Sequence, residues 1–138
     1  MKSMKNRSLL VLIITIVFFS CGKDEITIAD LSETKIGNHA AAELEKFLGV
    51  IYHDVVFEKS AGKEANIQLL LSEQAEELGL QELPHKKESF KVTRKDGKLY
   101  IISPDQRGLL NASYALLEKL GCGFYISKDV IPDSKKWN

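Results

Sequence analysis

Polar and apolar residues alternate in two different rhythms along this chain. One long apolar run stands outside both. Leu9–Phe19 is apolar at every position except Thr15 and is preceded by Lys2, Lys5 and Arg7. From Glu25 onward the pattern is that of a folded domain. Glu25–Ala29 alternates and is β-branched, which predicts a short strand. Ala41, Leu44, Phe47, Leu48 and Ile51 recur at intervals of three and four, which predicts a helix over Asn38–Ile51 with Asn38 as its cap. Asp54–Glu58 reads as a short strand and Ile67–Leu71 as a buried one. Glu73–Leu78 reads as a short helix closed by Gly79.

The sharpest local signal is Ser89–Lys95, Asp96-Gly97, Lys98–Ser103. Asp-Gly supplies the positive φ angles of a two-residue type I′ turn, so a β-hairpin is expected. Its return strand, Leu99-Tyr100-Ile101-Ile102, is apolar on both faces and should lie inside a sheet. Leu109, Ala112, Leu116, Leu117 and Leu120 line one side of a second long helix, Asp105–Leu120, stopped by Gly121. Cys122–Ile126 closes the pattern as a final strand. The order β-α-β-β-(short α)-β-β-α-β predicts an α/β (α+β) fold, with a single mixed sheet and two long helices packed mainly on one face. The halves share a strand–helix–strand rhythm without a sequence repeat. Ser134–Asn138 has no periodicity and reads as linker.

Charge changes the picture of the N-terminus. The 19 basic and 19 acidic residues balance overall. Three of the bases precede the apolar run and no acid does, so the remainder is slightly acidic. That composition excludes a nucleic-acid binder driven by a cationic face, and mixed charge with 44% hydrophobic residues excludes a disordered chain. The length fits one domain and is too short for an eight-stranded α/β barrel, which takes about 250 residues. Two cysteines exclude a disulfide scaffold.

A basic start, a short apolar core and Ser20-Cys21-Gly22 describe a secretory signal over residues 1–20. As a helix, Leu9–Phe19 covers about 16 Å, where a bilayer core takes about 20 residues. Phe18-Phe19-Ser20-Cys21 resembles a bacterial lipobox, with Phe18 where Leu is usual. The resemblance implies a lipidated Cys21 at the mature N-terminus, residues 21–25 as lipidated end and linker, and a Gram-negative outer-membrane lipoprotein held to the membrane only through its lipid. Several acyl chains anchor a protein lastingly, where one is marginal. Lys23-Asp24-Glu25 resembles a surface-export signal of such lipoproteins, and equally suits a solvated linker.

Candidate chemistry is sparse. The sequence holds no Gly-x-Ser-x-Gly, no P-loop, no His-Glu-x-x-His and no Cys-x-x-Cys. His39, His53 and His85 lie in separate segments without metal-ligand spacing, so no metal site is expected. Cys122, beside a Phe-Tyr-Ile strand, reads as a small buried hydrophobe. Glu43, Glu45, Glu73, Glu76, Glu77 and Glu118 read as solvated helix faces, not as paired catalytic carboxylates. Asp105, Arg107 and Gly108 are the candidate ligand or interdomain contacts. Gly108 admits either a close ligand or close packing on the sheet, with Asp105 as helix cap.

Lys91–Ile102, Asp105-Gln106-Arg107-Gly108, Leu109–Gly121, Phe124-Tyr125 and Ile131-Pro132 follow one another as hairpin, turn, amphipathic helix ending in Leu-Gly, short aromatic strand and Pro. This succession resembles the non-catalytic N-terminal α/β domain of bacterial α-glucuronidases and the domain before the barrel in β-N-acetylhexosaminidases. Ala40–Leu48 and the two strands after it fit that domain's first helix and sheet. The resemblance spans residues 26–132 and departs from the family at Glu88-Ser89-Phe90, where Gly-Tyr is frequent. It implies a hexosaminidase domain-2-like fold and an accessory role beside a downstream catalytic barrel, with residues 133–138 opening the linker to it and the chain a fragment of a glycoside hydrolase. It implies no catalytic residue and no cofactor within this chain. Two other readings stand beside it: a stand-alone cell-surface lipoprotein that binds glycans through Tyr100, Tyr114, Phe124, Tyr125 or Trp137, and a small independent hydrolase.

Overall fold

The structure, a computed structural model, describes residues 22–137. The signal segment and Cys21 lie outside the described residues. Strand β1 (Asp24–Asp30) is followed by helix α1 (Lys35–Ile51), strands β2 (Val55–Ser60) and β3 (Ile67–Leu71) and the short helix α2 (Ser72–Glu77). The hairpin β4 (Lys91–Lys95) and β5 (Lys98–Ser103), helix α3 (Gln106–Lys119) and the two-residue strands β6 (Gly123–Phe124) and β7 (Asp129–Val130) complete it.

The five-stranded sheet has the order β2-β1-β3-β5-β4. β1 pairs in parallel with β2 and β3, β3 in parallel with β5, and only β4 runs antiparallel, against β5. A short link joins the parallel strands β2 and β3 because they are staggered. Ser60, at the end of β2, is level with Ala29, while Ile67, at the start of β3, is level with Ile28. The chain steps over β1 without travelling back, so it needs no helical crossover of the ordinary length. Gln68 holds this link in place: its Nε2 donates to the carbonyls of Lys63 at 2.6 Å and Ala65 at 3.0 Å.

Side-chain alternation divides the core in two. Ile28, Ile67, Leu69 and Ile101 face α1 and α3, whose Ala41, Leu44, Phe47, Leu48, Leu109, Ala112 and Leu117 complete the main cluster. Leu70, Tyr100 and Ile102 face the other way, against Ala75 of α2 and Leu80. The two long helices therefore share one face, and the short helix covers the opposite one. β5 lies between β3 and β4, covered on both sides, as its continuous apolar run requires. Asp96 and Gly97, with φ of 51° and 78°, turn the hairpin as a type I′ turn does.

Two expectations need correction. The sheet is not single, because β6 pairs with β7 in a separate antiparallel ribbon. Phe124 of β6 meets Phe47 of α1 edge-on at 5.2 Å and Tyr114 of α3 at 4.7 Å, so the ribbon lies over the two helices rather than beside a strand. Helix α1 begins at Lys35, not Asn38: the Thr34 hydroxyl caps it by accepting from the Gly37 N–H at 2.9 Å. Asn38 Oδ1 instead accepts from Lys59 Nζ at 3.0 Å.

Residues 133–137 dock onto the domain. Lys135 N–H donates to the Ile51 carbonyl at 2.7 Å. The Trp137 ring stands edge-on to Tyr52 at 5.1 Å and Phe57 at 5.4 Å, and the residue's backbone N–H donates to the Asp54 carboxylate. Trp137 thereby closes the core at the starting end of the parallel strands.

Candidate functional site

Open parallel sheets place their ligand sites beyond the carboxyl ends of the strands, where successive connections leave in opposite directions. Here that point lies between β1, whose chain goes on to β2, and β3, whose chain goes on to the β4–β5 hairpin on the other side. A shallow cleft of ≈ 410 Å³ opens there, lined by Leu31, Lys63, Leu70, Gln74, Glu77 and Leu78 among others. Gln74 bridges the crevice. Its Nε2 donates to the Leu31 carbonyl, and its Oε1 accepts from the Leu71 N–H at 2.9 Å. The side chain that could meet a ligand thus ties the two strands together.

The flanking turns are built alike. Ser32-Glu33-Thr34-Lys35-Ile36-Gly37 leads from β1 into α1, and Ser103-Pro104-Asp105-Gln106-Arg107-Gly108 leads from β5 into α3. Each has a buried Ser, a capping side chain two residues on, and a Gly three residues after the cap. A β-carbon on Gly37 would stand 2.2 Å from Ser32 Oγ, and one on Gly108 would stand 1.8 Å from Ser103 Oγ and 2.8 Å from the Ser89 carbonyl oxygen. Glycine is required in both turns because the helix's first turn presses onto a strand-end serine. The spacing Ser-x-(Thr/Asp)-x-x-Gly was the available signal for this shared device. It is short enough to pass unnoticed in the sequence.

Of the three residues singled out by sequence, Asp105 is the best held. Its Oδ1 accepts from the Gly108 N–H at 3.0 Å and its Oδ2 from the Glu88 N–H at 2.6 Å. The Glu88 N–H foremost, with those of Gly108 and Arg107, holds the carboxyl below its ordinary range against the opposing effect of burial. One carboxylate thus caps α3 and fixes the loop that enters the hairpin at Glu88, itself at φ 61°. Gly108 is buried against Ser103 and Ser89. Arg107 is exposed and approaches Glu88 Oε1 at 3.7 Å, a surface pair of about 0–1 kcal/mol. All three residues fall in one turn, and Ser103, which joins them there, donates its hydroxyl to the Ser89 carbonyl at 2.7 Å.

The β1 turn caps its helix with a hydroxyl where the β5 turn caps with a carboxylate. Asp30 Oδ1 accepts from the Ser32 N–H at 3.0 Å and hydroxyl at 2.5 Å, and Ser32 Oγ lies 3.0 Å from Thr34 Oγ1. In the β5 turn these polar atoms are spent on the backbone, and in the β1 turn on one another and on the backbone. Elsewhere, burial pushes the Cys122 thiol up, so the thiolate is disfavoured. Burial, with a hydrogen bond from its hydroxyl to Glu43 Oε2 at 3.0 Å, likewise raises Tyr114. Among the described residues no group of three or more His, Cys, Asp or Glu side chains could hold a metal ion.

What the surface does offer is apolar. On the β6–β7 ribbon Tyr125, Ile126, Val130 and Ile131 are exposed, Ile126 completely and Tyr125 to 65%. Gly123 lets the Tyr125 ring lie across the backbone, since a β-carbon there would come within 2.7 Å of it. No family model, no curated protein and no solved structure matches the chain.

Proposed function

We propose that this chain is the non-catalytic N-terminal accessory domain of a lipid-anchored carbohydrate-active hydrolase, of the kind that α-glucuronidases and β-N-acetylhexosaminidases carry ahead of their catalytic barrel. The observation that carries the reading is the exposure of Tyr125, Ile126, Val130 and Ile131 in and around a ribbon that packs on helices α1 and α3 through Phe124. Large apolar side chains left exposed this close together in the chain suit an interaction surface. The barrel is the partner that the succession of hairpin, turn, helix and aromatic strand leads us to place there. The polar groups of the strand-end turns suit the same role, since they are committed to holding helices on the sheet.

In this reading the domain's work is mechanical. It presents a rigid α/β surface to the barrel, and any catalytic acid and base belong to the barrel. The lipid on Cys21 then fixes the assembly to the outer membrane. Among the described residues no helix is long and apolar enough to cross a membrane.

Purified residues 22–138 should give no turnover of aryl glycosides and no retardation in affinity electrophoresis on polysaccharides. Retardation would favour a stand-alone glycan-binding lipoprotein. Turnover abolished by one Glu→Gln substitution would replace the proposal with a hydrolase.

A further inference from the structure

The described chain starts and finishes at the same end of the domain. Lys23 donates from Nζ to the His53 carbonyl at 2.7 Å, and Asp24 opens β1 paired with Val55. Next to Val55, Asp54 accepts from the Trp137 N–H at 3.2 Å. Both long helices finish here too, and Lys135 covers their carbonyl ends: its N–H donates to Ile51, and its Nζ donates to Leu120 at 2.7 Å. The negative pole of α3 therefore faces a cation and that of α1 a backbone donor, rather than open solvent.

We propose, resting on the reading of Cys21 as the lipidated N-terminus, that this end of the domain lies directly on the phospholipid surface. Only Gly22 and Lys23 separate Cys21 from the first residue of β1. A fully extended chain reaches at most about 3.6 Å per residue, so Asp24 sits within about 11 Å of the anchored cysteine. Lys23 shortens that reach further by binding back to His53. The usual freedom of a tethered domain to swing on a long linker is absent.

The orientation follows from the tether and not from attraction between charges. Lys23, Arg94, Lys95, Lys135 and Lys136 are exposed toward this end, and so are Asp24, Glu25, Glu64, Asp96 and Asp133. Mixed charge neither pulls strongly on anionic lipid nor recoils from it, and the contact should be insensitive to salt. The opposite edge of the sheet, with the Ser32 and Ser103 turns, points away from the membrane. At about 3.3 Å per strand residue, the 7 residues of β1 raise that edge by roughly 23 Å.

The chain's one tryptophan reports on the contact, because Trp137 lies at the membrane end. The full chain would be matured in a Gram-negative host and reconstituted in phosphatidylethanolamine/phosphatidylglycerol vesicles carrying dansyl-labelled headgroups. Energy transfer from Trp137 to dansyl should be strong. It should be largely lost when a Gly/Ser insert of about 20 residues, spanning about 25 Å, separates Gly22 from Lys23. A Trp137→Phe, Lys35→Trp variant, with its tryptophan at the far edge, should transfer weakly without any insert. Equal transfer from all three proteins, or none from the acylated parent, would overturn the orientation alone. Mass spectrometry of the N-terminus distinguishes the other failure: a chain without acyl groups overturns the anchor and the orientation together.

Discussion

Gly108 lies so close to Ser103 that a β-carbon on it would stand 1.8 Å from the serine hydroxyl. This contact seats the first turn of α3 on the end of β5, and Gly37 repeats it against Ser32 at the head of α1. The two helices that cover the main core are therefore placed by the absence of a methyl group. Gly49, also helical, has nothing within 4 Å of its would-be β-carbon.

That contrast gives opposite signs for one chemical change. Gly108→Ala and Gly37→Ala should each destabilise the domain by about 1–3 kcal/mol through overpacking. Gly49→Ala should stabilise it by up to about 1 kcal/mol through helix propensity. Urea midpoints of the three variants check the prediction. Stabilisation by Gly108→Ala would mean that the turn is not packed as described.

Asp105 sets a pH dependence. Its folded carboxyl is held below the unfolded value of about 3.8 by the Glu88 N–H first and by those of Gly108 and Arg107. A lowered folded pKa adds stability that is fully present above the unfolded value and is lost as pH falls through the folded one. Wild-type stability should therefore drop as pH falls below about 4, and Asp105→Asn should flatten part of that limb. At pH 7, Asp105→Ala should cost about 0.5–2 kcal/mol as a lost cap, with the freed Glu88 N–H adding to it. Thermal melts of the three proteins between pH 2.5 and 7 read both effects.

Trp137 should behave as a core residue although it sits near the end of the chain. Its ring meets Tyr52 and Phe57, contacts that alanine loses, while the backbone N–H to Asp54 is kept. Trp137→Ala should cost about 2–3 kcal/mol, below the range for a fully buried aromatic because the ring is only partly covered. Tryptophan fluorescence should shift to the red on unfolding, and the urea midpoint of the variant gives the cost.

Cys122 should be silent toward thiol reagents in the folded state. Burial both hides the sulfur and raises its pKa. Labelling of residues 22–138 by a disulfide reagent at pH 8 should be slow without denaturant and complete with it. Fast labelling of the native domain would contradict the packing of the α3–β6 junction.

Much of the fold was legible in the sequence, for reasons that particular residues make clear. The Asp96-Gly97 turn fixes a hairpin and its register because few other dipeptides tolerate two positive φ angles. The α1 stripe was legible because all five of its predicted positions, Ala41, Leu44, Phe47, Leu48 and Ile51, are buried. The start of α1 was not, because Thr34 and Asn38 are both good caps. What decides between them is the Asp30–Ser32–Thr34 chain of hydrogen bonds, a tertiary feature. The β6–β7 ribbon escaped because periodicity marks a strand without naming its partner. Trp137 escaped because its contacts are with Tyr52 and Phe57, far back in the chain. At the candidate site, Asp105 and Gly108 stood out by type, and only the geometry assigns both to seating α3.

The central claim is that the Tyr125–Ile131 ribbon is an interface with a catalytic barrel, and hydroxyl-radical footprinting tests it most directly. Ile126 is fully and Tyr125 largely open to oxidation in isolated residues 22–138 on this account. They should be several-fold protected in the protein extracted with mild detergent from its own cells, while exposed Val56 on β2 reacts alike in both. Equal oxidation of Tyr125 and Ile126 in the two preparations would contradict the account.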